Sequence, residues 1–203
     1  MFDYATDEFL KNLLWTGVPH TVWPKRTYLI AVVKTANGKE IFKKGFKNKP
    51  KDGHAEEVMF NDYDFRNTVA GDRYIEIILT LNYSPCSECA KKLKTFYESH
   101  KKKITKFIIQ FSYLYYIQKE ENQSGLRNLS NAGVTLQAMN ANSWREVGIK
   151  FNSMKENDKE KITKRDNNTA NKLNEVLSKK QNEQGQDTSV DELSSRFNKQ
   201  MKF

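Results

Sequence analysis

The feature that most restricts what this chain can fold into is a pair of short motifs that must meet in space. Its only cysteines, Cys86 and Cys89, follow Ser84-Pro85, and 28 residues separate Pro85 from the end of Gly53-His54-Ala55-Glu56. That interval holds one helix and one strand. A spacing of three puts both sulfurs on one face of a helix, where they can bind one ion together but make poor material for a disulfide framework. Pro85 suits a first helical position and Ser84 a cap, and a helix N-terminus lowers the pKa of a nearby thiol. His54 and Glu56 would diverge by about 200° in mid-helix, so they can serve one site only from a helix's opening turn. The sequence places them there, just after Gly53.

Alone, either motif is ambiguous. Cys-x-x-Cys also suits a redox couple or a structural metal, and His-x-Glu is commonplace. Together they supply one imidazole and two thiolates, which leave a tetrahedral zinc ion one open position for water. Zinc lowers the pKa of such a water to about 7, so hydroxide is available at neutral pH. Glu56 is not needed as a ligand and is placed to move the water's proton. His-x-Glu followed by Pro-Cys-x-x-Cys is also the signature of zinc-dependent nucleobase deaminases. His20 and His100 lack this context and read as surface residues.

The net charge of +9 becomes informative once it is located. Residues 21–51 carry nine basic side chains against one acidic, and residues 91–106 seven against one, whereas residues 52–90 are acidic. Two basic blocks favour a polyanion, because each phosphate neutralised releases condensed counterions, although Lys43, Lys44, Lys47, Lys49 and Lys101 to Lys103 also suit a merely soluble surface. No apolar run is long enough to span a membrane, and Met1-Phe2-Asp3-Tyr4 lacks the plan of a secretory signal, so a soluble, unsecreted protein without a membrane partner is expected.

Periodicity predicts one domain over residues 1–154, with a polar C-terminal extension over 155–203. Helices are expected over 7–14, 54–66, 85–99, 123–132 and 143–154, and strands over 27–35, 40–46, 74–81, 106–111 and 134–139. The first two strands form a hairpin turned by Asn37-Gly38, and Gly133 closes a helix. Right-handed crossovers make the later strands parallel. The fold class is therefore α/β, a helix-covered mixed sheet of five strands. In the extension, Ile162, Leu173, Val176 and Leu177 suggest a helix over 169–180, and the last twenty or so residues are expected to be loosely held.

The chain resembles the AID/APOBEC family of polynucleotide cytidine deaminases. The resemblance rests on the zinc motifs and on four further stretches: Thr27-Tyr28-Leu29 with Val32-Val33-Lys34, Tyr83-Ser84-Pro85-Cys86-Ser87-Glu88-Cys89, Leu114-Tyr115, and Gly125-Leu126-Arg127-Asn128-Leu129 with Ala132-Gly133-Val134. It covers about residues 27–151. The resemblance implies a cytidine deaminase-like three-layer fold and an enzyme that hydrolyses a cyclic amidine C–N bond. The product is uracil, made from cytosine in single-stranded DNA or RNA, with one Zn2+ per chain. By the same resemblance His54, Cys86 and Cys89 bind zinc, while Glu56 is the proton shuttle in the attack of zinc-bound hydroxide on C4. It implies a substrate-binding set of Asn48, Tyr83, Ser84, Tyr115, Lys25 and Arg26. Asn48 stands one residue farther from the His than in the family, and Tyr83 replaces the family's usual Trp. Tyr83 and Tyr115 would wall the flipped base, the loop Trp23-Pro24-Lys25-Arg26 would take a phosphate and a stacked base, and the loop 116–124, acidic at Glu120 and Glu121, would face the neighbouring nucleotide. The resemblance also implies an immune mutator or antiviral role, in cytoplasm, nucleus or both. RNA editing, deamination of free cytidine or deoxycytidine, and binding of nucleic acid without catalysis are the competing functions.

Overall fold

Near-continuous apolar runs such as Ile75-Glu76-Ile77-Ile78-Leu79-Thr80-Leu81 are what a strand covered on both faces requires, and they form the centre of the sheet. The computed structural model describes residues 7–48, 53–71 and 73–179. Helix α1 (Glu8–Trp15) precedes the hairpin β1 (Tyr28–Thr35) and β2 (Glu40–Lys47). Then come α2 (Ala55–Asn61), α3 (Tyr63–Ala70), β3 (Ile75–Tyr83), α4 (Ser87–His100) and β4 (Ile104–Tyr113). The chain continues through α5 (Glu120–Ala132), β5 (Thr135–Ala138), α6 (Ala141–Glu146), a 3-10 turn (Phe151–Ser153) and α7 (Glu156–Ser178).

The strand order is β2-β1-β3-β4-β5, with β1 antiparallel to both neighbours and β3, β4 and β5 parallel. This is the expected five-stranded mixed sheet flanked by helices. Alternation splits the core. Leu29, Ala31, Ile77, Leu79, Ile109 and Phe111 meet Met59, Phe65, Leu93 and Leu126 on one face; Ile30, Val32, Ile78 and Ile108 meet Leu10, Leu13, Leu14 and Trp144 on the other. Among the described residues, no helix is long and apolar enough to cross a membrane.

Several helices depart from the expected ranges, three of them for a local reason visible in the structure. The helix expected over 54–66 is two, because the Asp62 carboxylate accepts the Phe65 N–H at 3.0 Å and caps a new helix. The one expected over 143–154 ends before Gly148, whose φ of +97° is costly for any side chain. The C-terminal helix begins at Glu156 rather than near 169. Its buried face includes Arg165, Asp166 and Thr169 beside Ile162, Leu173 and Val176, so hydrophobic spacing exposes only its second half. This helix passes across the end of the sheet, with Ile162 in one core layer and Leu173 and Val176 in the other. The expectation for the last twenty or so residues lies outside the described residues.

Candidate active site

Two helices begin beside one another beyond the C-terminal end of β3, the position where parallel strands commonly present ligand sites. His54 caps α2 and Cys86 caps α4, both in extended backbone conformation. Ser84 is not the cap and Pro85 is not in the helix; the turn starts at Ser87, so Cys86 itself stands at the positive end of the helix. His54 Nδ1 lies 3.2 Å from Cys89 Sγ and 3.4 Å from Cys86 Sγ. The three ligand atoms lie within 4.8 Å of one another, with Cys89 buried, Cys86 half-buried and His54 exposed. A tetrahedral zinc about 2.0–2.3 Å from each donor sets donors roughly 3.5–3.8 Å apart, so this nitrogen and these sulfurs fit such an ion. The three residues are positioned for a metal site, and among the described residues no fourth ligating side chain joins the group.

Electrostatics agree with that geometry. The hydrogen bond from Cys89, with the His54 charge nearby, pulls the Cys86 thiol down to about 5, while the same bond and burial push Cys89 up. The lowered Cys86 thiol suits a group that binds a cation as thiolate. Glu56 is only 3% exposed and hydrogen-bonds with Cys89. Burial pushes its carboxyl up to about 7, the range in which one group can both accept and return a proton near neutrality.

Glu57, Lys92 and Gly53 hold His54 in place, and sequence reading gave the first two no such role. Glu57 accepts the His54 backbone N–H at 2.7 Å, and Lys92 on α4 pairs with the same carboxylate. Gly53 has a φ of +87°, and a Cβ there would run into the Glu57 carboxylate. The spacing His54-x-x-Glu57 is a capping box with an unusual first residue, which is the signal that could have found it. We therefore expect Gly53→Ala to destabilise the fold by about 1–3 kcal/mol and to weaken metal binding, because both the backbone conformation and the cap are lost. Urea unfolding and zinc titration would measure the two effects; unchanged values in both would contradict this role. On α4, the Asn122 side chain accepts the otherwise unpaired Ser87 N–H at 2.9 Å.

The family model described as Invertebrate-AID/APOBEC-deaminase matches residues 9–188, most of the chain. This chain belongs to the AID/APOBEC deaminases. It is 27% identical over 120 residues to the C->U-editing enzyme APOBEC-1 of Pongo pygmaeus, covering 59% of this chain and 49% of that one. It is 28% identical over 134 residues to the DNA dC->dU-editing enzyme APOBEC-3H of Felis catus, covering 66% of this chain and 67% of that one. The chain spans about half the length of the APOBEC-1 relatives it matches.

The substrate-binding set expected of an AID/APOBEC chain falls into two groups. Tyr83 and Tyr115 meet edge to face at 5.9 Å, and Tyr115 packs on Tyr116 at 4.6 Å. Burial raises the pKa of both Tyr83 and Tyr115, so they stay neutral. Ser84 is buried and accepts the Tyr115 N–H at 2.9 Å, which orients that tyrosine rather than capping a helix. The loop before β1 is held to the same strand ends. The Tyr83 hydroxyl donates to Pro24 O at 2.9 Å, and the Asn82 amide donates to Arg26 O at 3.0 Å. Lys25 and Arg26 are exposed on it, and Trp23 packs on Tyr113 with ring centroids 5.0 Å apart. Asn48 instead accepts the Thr27 N–H at 3.1 Å, at the end of the β1–β2 pairing; residues 49–52 lie outside the described residues.

Two charge expectations change. Glu120 opens α5 rather than lying in a loop, and it pairs with the buried Arg127, while Glu121 sits 3.9 Å from Lys119. The second basic block is partly engaged within the fold: Lys92 with Glu57, Lys94 with Glu98, and Lys103 with the carbonyls of Ala70 and Gly71. Lys101 lies at the opposite end of α4 from Cys86, about 20 Å away for a helix of this length.

Proposed function

We propose that this chain is a zinc-dependent hydrolytic deaminase that converts cytosine to uracil in single-stranded nucleic acid, with DNA as the principal substrate. The observation that carries the reading is the buried Glu56 carboxyl beside a cluster of one imidazole nitrogen and two sulfurs. A zinc ion in that donor set supplies a Lewis acid that lowers the pKa of a coordinated water to about 7.

The chain's own residues account for the rest. Glu56 takes a proton from the attacking water and delivers it to cytosine N3, then carries a second proton to the amino group on C4, which leaves as ammonia. Tyr83 and Tyr115 flank the extruded base, each stack contributing about 1–3 kcal/mol. Lys25 and Arg26, exposed on a loop that Tyr83 and Asn82 pin to the site, meet the phosphates on either side. A single strand is the substrate because a paired cytosine must first be unstacked, at a cost of a few kcal/mol. We infer a role in defence or programmed mutation, in the cytoplasm, the nucleus or both, from the same reading.

The test is an assay of purified protein on matched single-stranded DNA, single-stranded RNA and free cytidine. Uracil is expected in the DNA strand, at a rate that falls as salt rises. Faster conversion of the RNA strand would make this an RNA editor, turnover of the free nucleoside alone would make it a salvage enzyme, and salt-sensitive binding without product would leave a non-catalytic nucleic-acid binder.

A further inference from the structure

Helix α7 carries a buried charged pair. Arg165 and Asp166 on α7 are both buried, and Arg165 Nε donates to Asp166 Oδ1 at 2.7 Å. Asp166 also accepts from Trp144 Nε1 at 2.7 Å. The remaining arms of the guanidinium reach 149 and 151 residues back along the chain: Nη1 donates to Thr16 O, and Nη2 to Leu14 O at 3.2 Å. These are carbonyls at the C-terminal end of α1, which have no partner within their own helix. A cation there is favoured by the helix dipole as well as by the hydrogen bonds. Leu13 O, one residue earlier, is taken by the Ser112 hydroxyl at 2.6 Å.

The segment 17–27 leads from the end of α1 into β1, and Arg165 fixes its start. The chain of bonds then runs on through buried groups: Asn82 Nδ2 donates to Thr16 Oγ1 at 3.3 Å and to Arg26 O at 3.0 Å, while Asn82 Oδ1 accepts the Tyr28 N–H at 2.8 Å. Both ends of the loop that carries Trp23, Lys25 and Arg26 therefore hang from one polar network whose charged member sits on the C-terminal helix.

We propose that Arg165 is a positioning residue for nucleic-acid binding: it holds the end of α1 so that the loop 17–27 presents Trp23, Lys25 and Arg26 at the mouth of the site. This rests on the deaminase reading for the identity of the substrate, but the positioning itself is independent of it. Substitution is expected to act on substrate capture and to spare the chemical step at Glu56, which lies on another helix.

Arg165→Lys keeps the charge beside Asp166 but cannot span two carbonyls. The pair Arg165→Met with Asp166→Asn removes both charges and leaves an acceptor for Trp144, so it folds even if an unpaired Asp166 would not be tolerated. Leu173→Ala, which opens a cavity elsewhere on α7, is the control for general loss of stability. In the zinc-loaded chain, amide hydrogen exchange over 17–27 is expected to rise about tenfold or more in both Arg165 variants. Exchange over 55–61 and 87–100 should be unchanged. The apparent KM for a cytosine-containing single strand should rise about five- to tenfold with kcat within twofold, the signature of lost binding rather than lost chemistry. Leu173→Ala should do neither. Unchanged exchange over 17–27, or an equal rise in Leu173→Ala, would overturn the positioning role. A loosened loop with an unaltered KM would overturn its link to substrate. If the unsubstituted protein deaminates nothing, the function proposed above fails, and the exchange measurement still decides the role of Arg165.

Discussion

Glu56→Gln is expected to lower the rate of deamination by about 1,000-fold or more while leaving the metal content and the fold as they were. Glutamine matches the carboxylate in size and can hydrogen-bond, but it cannot accept or release a proton in this pH range. General acid–base catalysis contributes about 100- to 10,000-fold per group, and here one residue is asked to move protons in both halves of the reaction. The fold should tolerate the change because the buried carboxyl is already pushed up to about 7, so the folded protein does not depend on its charge. Single-turnover assays on a single-stranded oligonucleotide, with zinc measured on the same preparation, would check this. A loss of tenfold or less would mean that another group carries the proton.

Cys86→Ser is expected to remove the metal and with it all measurable activity. The hydrogen bond from Cys89 and the nearby His54 charge pull the Cys86 thiol down to about 5, which makes it the sulfur better suited to hold a cation. A serine hydroxyl at that position does not ionise and leaves only one imidazole and one thiol. Zinc bound to the native form alone stabilises it by about 4 kcal/mol at a thousandfold excess over Kd, so the melting temperature should fall in the variant and stop responding to added zinc. Treating the unsubstituted protein with a chelator should reproduce both effects, and readdition of zinc should reverse them. A variant that retained one zinc per chain would show that Cys86 is not a ligand.

Legibility in the sequence followed the range over which each signal acts. The meeting of His54, Cys86 and Cys89 was readable because its parts are local: a helix-opening His-x-Glu and a Cys-x-x-Cys whose spacing fixes a shared face. The sheet was readable because β3 and β4 are covered on both sides and advertise it as unbroken apolar runs. The break at Asp62 was hidden, since Met59, Phe60, Phe65 and Val69 keep a helical rhythm across it, and only the side chain's bond to Phe65 N–H reveals the second start. The first half of α7 was hidden for the opposite reason. Its inward face is charged, and its burial is compensated by partners more than a hundred residues away, to which no periodicity points. The same holds for Glu57 with Lys92 and for Asn122 with Ser87, whose roles exist only once the helices α2, α4 and α5 have come together.

The seating of α1 against α7 also bears on how such a chain emerges from the ribosome. Arg165, whose guanidinium takes up the carbonyls of Leu14 and Thr16, is synthesised 151 and 149 residues after them. During translation α1 waits for this contact until α7 has left the exit tunnel. Nascent chains that stop short of residue 165 can close the apolar face of α1 on the sheet, but they leave the carbonyls at its end without the guanidinium, so the loop that follows is among the last parts to be fixed.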